Sequence, residues 1–593
     1  MRLDSWANLA AMFFEQAAAR GGAPFLWHKQ DGAYRAISWG EAARQASALA
    51  RALRAYGLTP GERVLLLSEN SPQWAIADFA IMAAGGITVP AYTTNTVRDH
   101  AHVLTDSGAA MAVVSTAALA GPLLAAAAGA PALRRVITIE PVSAPAGRPL
   151  VSGWDEALAE GAAAPGDPAA DAARIARDSL ACLIYTSGTG GVPKGVMLSH
   201  RAIMANCVGA YHLLLELGLG DEVFLSFLPL SHSYEHSCGL MFPVSLGAQI
   251  YYAERVETLS ANLLEARPTI MTAVPRLYEV MRERILHGVR RQGGLKARLF
   301  RAAVELGRKR YEQPGALSLG ERLIDAVVER LVRDKVRARF GGRLKALVSG
   351  GAPLNYEVGV FFTALGLRLL QGYGQTEAAP VVSCNPPSRI KLRTVGPPLA
   401  DVEVRIADDG EILVRGPLLM DGYWNQPELS AEVLRDGWLH TGDIGVIDQD
   451  GCIQITDRKK DIIVNSGGDN LSPQRVEGIL ALEPEIETAM VVGDRRPHLV
   501  GLIVPAQAFV EQWAKDHNTR ADLAALSGDR SFRNALGAAV DRANAGLSVI
   551  EKVKRFIVAK EPLTVENGSM TPTMKLRRHV ILERYGAALD ELY

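Results

Sequence analysis

Apolar residues along this chain gather into short blocks, and the stretches between them repeat their apolar positions at helical spacing. That alternation is the pattern of an α/β protein, in which buried strands give short unbroken apolar runs and the connecting helices show one apolar face. Several runs stop abruptly in loops rich in Gly, Ser or Pro. Ala181–Tyr185 enters Thr186–Gly191, Val223–Leu228 enters Pro229–His232, Ala346–Val348 enters Ser349–Pro353, and Leu369–Leu370 enters Gly372–Thr376. Ligands of open α/β sheets lie beyond the carboxyl ends of the strands, so these loops are expected to share one pocket.

Three stretches depart from this rhythm. Residues 276–340 read as helical and are crowded with basic residues, among them Arg290, Arg291, Lys296, Arg298 and Arg301. Leu295, Leu299, Ala302 and Leu306 fall on one helical face there. Such a helix suits two settings, the surface of an anionic membrane or a solvated position on the main body, and the second is the simpler. Ala109–Ala130 carries no charge and is long enough to span a bilayer. It is mostly Ala, with Gly121 and Pro122 at its centre, so a buried strand over Met111–Ser115 followed by an Ala-rich helix is predicted instead. Finally, DRKKD at 457–461 packs charge between two strand-like segments, a composition that predicts an interdomain hinge at 458–461. It separates residues 1–457 from residues 462–593, which read as a small α+β domain with strands near Thr488–Val492 and Val500–Val504.

Composition narrows the function. A chain of 593 residues is too long for one compact core. Lys+Arg 63 against Asp+Glu 64 leaves a net charge of -1, without the basic excess that nucleic-acid phosphates demand. The cysteines Cys182, Cys207, Cys238, Cys384 and Cys452 are scattered and form no C-x-x-C pair, so neither a disulfide framework nor a zinc site is expected and a reducing cytoplasm suits the chain. The opening MRLDSWANLAAMFFEQ lacks a basic region followed by an apolar core and does not read as a signal peptide.

The richest chemistry lies in Tyr185-Thr-Ser-Gly-Thr-Gly-Gly-Val-Pro-Lys-Gly-Val196. Glycines let backbone N–H groups approach phosphate oxygens, hydroxyls add donors, and Lys194 adds positive charge. Gly188 and Lys194 stand at Walker A spacing, but Pro193 replaces its second Gly and Gly195 replaces its Ser/Thr. A dinucleotide G-x-G-x-x-G fails as well, because Pro193 falls at the third Gly.

The segment instead resembles the phosphate loop of the adenylate-forming superfamily, the acyl-CoA synthetases, luciferases and peptide-synthetase adenylation domains. It departs from their usual TSGTTG-x-PKG at Gly190, where Thr is common. Further motifs follow in the family's order over nearly the whole chain. Ser349-Gly350-Gly351-Ala352-Pro353-Leu354 resembles the adenine-wall loop, and Gln371-Gly372-Tyr373-Gly374-Gln375-Thr376-Glu377 the central active-site stretch. Trp438-Leu-His-Thr-Gly-Asp443 resembles the ribose motif, and Thr564–Lys575 the C-terminal catalytic loop. The resemblance implies an α/β fold with a large multi-subdomain N-terminal adenylate-forming domain and a small mobile α+β C-terminal domain turning about Lys460. It implies that Thr186, Ser187, Gly188, Thr189, Gly190, Gly191 and Lys194 hold the ATP phosphates. By the same likeness Tyr373 stacks on adenine, Thr376 contacts the α-phosphate, Glu377 holds Mg²⁺, Asp443 and Arg458 take the ribose, and Lys575 brings carboxylate and α-phosphate together.

Phe227-Leu-Pro-Leu-Ser-His-Ser-Tyr-Glu235 resembles the border of the acyl tunnel in long-chain synthetases, with His232 and Glu235 at its polar positions; His232 also fits a helix-capping role. Asn465–Pro473, containing Gly467 and Gly468, is similar to the loop that meets coenzyme A after domain rotation. The expectation is a ligase that converts a fatty acid, ATP and coenzyme A to acyl-CoA through an acyl-adenylate. Rivals are a ligase that loads an acyl carrier protein, a ligase for another hydrophobic acid, and a regulatory nucleotide binder without catalysis. A cytoplasmic monomer or homodimer is expected, with or without peripheral contact at the inner face of a membrane.

Overall fold

A computed structural model describes residues 5–143, 147, 149–186, 193–565, 567–571 and 576–593. Two eight-stranded sheets form its body. The first runs, in spatial order, Val381–Cys384, Leu369–Gly374, Ala346–Ser349, Ile270–Ala273, Val223–Ser226, Gln249–Tyr252, Pro24–Gln30 and Ala33–Ser38. Its interior pairs are parallel and its two outer strands antiparallel. Its inner strands Val223–Ser226, Ile270–Ala273 and Ala346–Ser349 are short and mostly apolar because helices bury both faces, whereas the edge strand Ala33–Ser38 is largely exposed. The second sheet carries Leu180–Thr186 and Lys194–Ser199 as an antiparallel hairpin beside a parallel set that includes Arg63–Leu67 and Met111–Val114. The uncharged stretch is thus a fully buried strand followed by the helix Ala117–Ala127, which Thr116 caps, as its composition predicts. Among the described residues no helix is long and apolar enough to cross a membrane.

A smaller antiparallel sheet adds Glu411–Arg415, Trp438–Ile447 and Ile453–Arg458. Beyond it, Ile486–Val492, Leu499–Pro505 and Val553–Val558 form a three-stranded sheet covered by Pro473–Leu480, Arg530–Ala545 and Arg578–Asp590. Its cores draw their buried residues from Ile463 onward, so it is a separate, smaller α+β domain.

The basic stretch folds into the helices Pro275–Gln292, Gly294–Glu312 and Leu319–Val328, continued by a π-helical turn at Glu329–Arg333 and by Asp334–Arg339. Its packing bears out the expected face at Leu299, Ala302 and Leu306, which pack against the core, and corrects it at Leu295. Leu295 is 71% exposed, and the buried seam of Gly294–Glu312 is Phe300, Ala303, Leu306 and Gly307. The reason is close approach: a Cβ on Gly307 would sit 2.3 Å from the carbonyl oxygen of Ala364, so backbone meets backbone there and rolls the helix away from Leu295. This apolar face is covered by the main body.

Candidate functional site

Strand ends converge on one cleft of about 1850 Å³. Thr186 closes one strand of the hairpin and Lys194 opens the next, in register with each other, so the two ends of the phosphate-type loop are held side by side at the rim. Lys194 Nζ lies 4.9 Å from the centre of the Tyr423 ring, and the Tyr423 hydroxyl donates to Glu377 Oε1 over 2.8 Å. Burial and the Glu377 carboxylate hold that phenol well above its ordinary range, so it stays a donor. A cation, a phenol and a carboxylate therefore line up along one wall. Thr376 Oγ1 lies 2.9 Å from Ser233 Oγ in the same region.

The adenine-wall and ribose-type residues face each other across the cleft. Gly350, Gly351, Ala352 and Pro353 follow the strand Ala346–Ser349 and line the cavity. A Cβ on Gly350 would lie 2.9 Å from the Tyr234 ring, so any larger residue would push this loop off its support. Gln371, Gly372, Tyr373 and Gly374 line it from the next strand, and a Cβ on Gly374 would collide with the Pro380 carbonyl at 1.8 Å. Asp443 is buried and in cross-strand register with Arg458. Its Oδ1 lies 3.1 Å from Arg458 Nε, and its Oδ2 accepts from the Tyr373 hydroxyl over 2.6 Å. Burial opposes the charge of Arg458, but Asp443 together with Asp461, Tyr373 and Glu377 outweighs it and raises its pKa. Burial, then Asp443, drives the Tyr373 phenol far up, so the hydroxyl is fixed as a donor to a charged carboxylate.

His232 lines the cleft and also caps the short helix that follows, its Nδ1 accepting from the Tyr234 amide over 3.1 Å. The capping role expected of this residue is therefore present, and the ring also borders the cleft. Behind it Glu235 is fully buried, and its Oε2 accepts from Thr272 Oγ1 over 2.8 Å. Gly239 makes room for it, since a Cβ there would stand 2.3 Å from Glu235 Oε1. Burial pushes the Glu235 carboxyl up to about 7, against the Ser226 and Thr272 hydroxyls and the Phe227 amide. The cleft's apolar wall comes from Leu213, Leu214, Phe224, Phe242, Ile270 and Leu399.

Ser187, Gly188, Thr189, Gly190, Gly191 and Lys575 lie outside the described residues, although Thr571 and Leu576, on either side of the last, line the cleft. Lys460 lines it too, whereas Gly467 and Gly468 are exposed and do not. Asn465 holds their loop by accepting from the amides of Gly467 and Asp469. Sequence reasoning missed Tyr423, Ser233 and Glu411. Glu411 fixes the ribose-type turn by accepting from the Gly442 amide over 2.8 Å and pairing with Lys459 at 3.1 Å.

The fold is that of an AMP-binding enzyme. Residues 13–424 match the AMP-binding enzyme family and residues 460–593 its C-terminal domain. The long-chain-fatty-acid–CoA ligase FadD15 of Mycobacterium tuberculosis is 35% identical over 99% of this chain and 97% of its own length. Peroxisomal long chain acyl-CoA synthetase 6 of Arabidopsis thaliana is 30% identical over 95% of the chain and 82% of its own. Among solved structures, the A-PCP didomain of the Segniliparus rugosus carboxylic acid reductase, in complex with AMP, superposes with a TM-score of 0.77 at 23% identity, covering 100% of this chain and 83% of that one. The chain belongs to the adenylate-forming enzymes and, within them, to the long-chain acyl-CoA synthetase family.

Proposed function

We propose that this protein is an AMP-forming long-chain fatty acid–CoA ligase. The observation that supports it most is a single cleft in which Lys194, Thr376 and Glu377 stand on one side, Tyr373, Asp443 and Arg458 on another, and an apolar wall runs past His232. In the first half-reaction a carboxylate oxygen of the fatty acid attacks the α-phosphorus of ATP, and the bond to pyrophosphate breaks. In the second the coenzyme A thiol attacks the acyl carbon, loses its proton, and AMP leaves. The chain needs no cysteine nucleophile for this.

Each residue has a stated part. Asp443, oriented by the Tyr373 hydroxyl and charge-balanced by Arg458, accepts from ribose hydroxyls. Lys194 and the backbone of the loop it closes neutralise phosphate charge, and Lys575 lowers the repulsion between carboxylate and α-phosphate. The carboxylate of Glu377 with the hydroxyl of Thr376 is a hard oxygen donor set, which suits Mg²⁺; Tyr423 would aim that carboxylate. When bound, the metal offsets phosphate charge. Lys459 is tied to the main body through Asp409, Glu411 and the Gly442 carbonyl, and the second domain's core starts at Ile463, which supports Lys460 as the pivot between them.

ATP–pyrophosphate exchange across acids from acetate to arachidate, followed by thioester formation with coenzyme A or with an acyl carrier protein, tests the proposal. Exchange confined to short acids, or transfer to the carrier alone, overturns it.

A further inference from the structure

The helix Leu319–Val328 and its π-helical extension carry a feature that the ligase chemistry does not use. Leu319, Leu323, Ile324, Val327 and Leu331 lie 45% to 80% exposed on one continuous outer face. Over residues 319–331 that ribbon is about 18 Å long at helical rise. Leaving it in water is unfavourable, and contiguous apolar patches on a folded surface mark interaction sites.

The helix cannot roll to hide the ribbon. Its inner face is pinned by Val328 and Val332, both buried, and by the wholly buried guanidinium of Arg333. Arg333 donates to the carbonyls of Ala364 over 2.7 Å and Ala303 over 2.8 Å, and pairs with Asp325 and Glu329. The charge is sorted as strictly as the apolar residues. Glu321 pairs with Lys309, Asp325 with Arg310, Glu329 with Arg337, and Asp334 with Arg337 as well. Every carboxylate of residues 319–339 is thereby answered by a cation of the protein. Arg322, Arg330 and Lys335 stand exposed beside the ribbon, and no ion pair involves them among the described residues.

An apolar ribbon flanked by uncompensated cations has one complementary surface, an apolar layer rimmed with anions. We propose that the face Leu319–Leu331 docks in the plane of an anionic lipid bilayer, the aliphatic side chains entering the acyl boundary and Arg322, Arg330 and Lys335 meeting lipid phosphates. A second copy of the chain fits poorly. A two-fold contact would set these cations against their own copies, and the face holds no free carboxylate to answer them. The docking face is not the one expected from the sequence, since the apolar seam of Gly294–Glu312 is already buried in the body. It also stands apart from the ligase reading, because none of its residues lines the cleft.

Co-sedimentation of the full chain with phosphatidylcholine vesicles, with and without phosphatidylglycerol, tests the proposal. Binding to the anionic vesicles is expected, weakening as sodium chloride rises and charges are screened. The double variant Leu323→Ser/Val327→Ser is expected to lower partitioning by about tenfold or more through lost apolar burial. Arg322→Gln/Arg330→Gln is expected to abolish the preference for the anionic vesicles. Both variants should keep wild-type exchange activity with a soluble acid, which shows that they are folded and keeps the two proposals separately testable. Absence of binding at low salt, or unchanged binding by both variants, overturns the docking face. So does a concentration-dependent dimer in sedimentation velocity that Leu323→Ser/Val327→Ser dissolves, because the ribbon is then a subunit interface.

Discussion

Glu377 is where sequence and structure meet most directly at the scale of single residues. Its carboxylate faces the cleft with one oxygen held by Tyr423, so Glu377→Gln keeps the shape and removes the charge. Pyrophosphate exchange is expected to fall by about 10²-fold or more, as for other lost charge-stabilising groups, with the thermal unfolding midpoint unchanged. Wild-type exchange with an ordinary Mg²⁺ requirement would remove Glu377 from the mechanism. Glu235 makes a different kind of statement, about pH. Its folded carboxyl titrates near 7 and its unfolded one near 4.5, so between those values the unfolded state has released a proton that the folded state retains. The contribution of Glu235 to stability therefore declines as pH rises through this window, by about 3 kcal/mol at most, and is constant outside it. Glu235→Gln should remove this contribution, so that urea titrations at pH 5 and pH 8 show a smaller loss of stability with rising pH than in the wild type. Thr376, Glu377 and Asp443 were legible in the sequence because each sits in a motif of contiguous residues. Ser233 and Tyr423 were not, since their partners stand 143 and 46 residues away and only folding brings them within hydrogen-bond reach.

Secondary elements were easiest to read where burial is complete. Leu180–Thr186 and Ala346–Ser349 show in the sequence as apolar runs because both faces of their sheets are covered, and Leu369–Gly374 shows by its opening Leu369–Leu370. The face of the helix Gly294–Glu312 was legible at Leu299, Ala302 and Leu306 but misread at Leu295, since the close approach of Gly307 to Ala364, which sets the buried seam, is a tertiary event. The corrected seam has a measurable consequence. Leu306→Ala should cost about 2–5 kcal/mol, as truncation in a packed core does, whereas Leu295→Ala should change stability by no more than about 0.5 kcal/mol. Equal shifts of the two urea midpoints would return Leu295 to the buried face.

At the scale of the whole molecule, the proposed ligase scheme has the second domain take a different arrangement for each half-reaction. In that scheme Lys575 is assigned to the step in which two anions meet, and Lys460 to the change of domain arrangement that follows. Lys575→Ala should lose adenylation by about 10²–10³-fold while still turning supplied acyl-AMP into thioester. Lys460→Pro fixes the backbone at the pivot and should do the reverse, sparing exchange and slowing thioester formation. Equal damage to both half-reactions in both variants would end the alternation scheme. The thiols offer a way to watch that motion. All five cysteines lie before residue 458, and Cys182, Cys207, Cys384 and Cys452 are buried. Burial pushes Cys207 and Cys384 up to about 12, where the reactive thiolate is scarce at neutral pH. The C-terminal domain is thus a blank field for maleimide chemistry. A cysteine introduced at exposed Arg533 would accept a dye that the four buried thiols refuse, and with Cys238, half-buried on the cleft wall, changed to Ser, the turning of one domain against the other could be followed as a fluorescence trajectory.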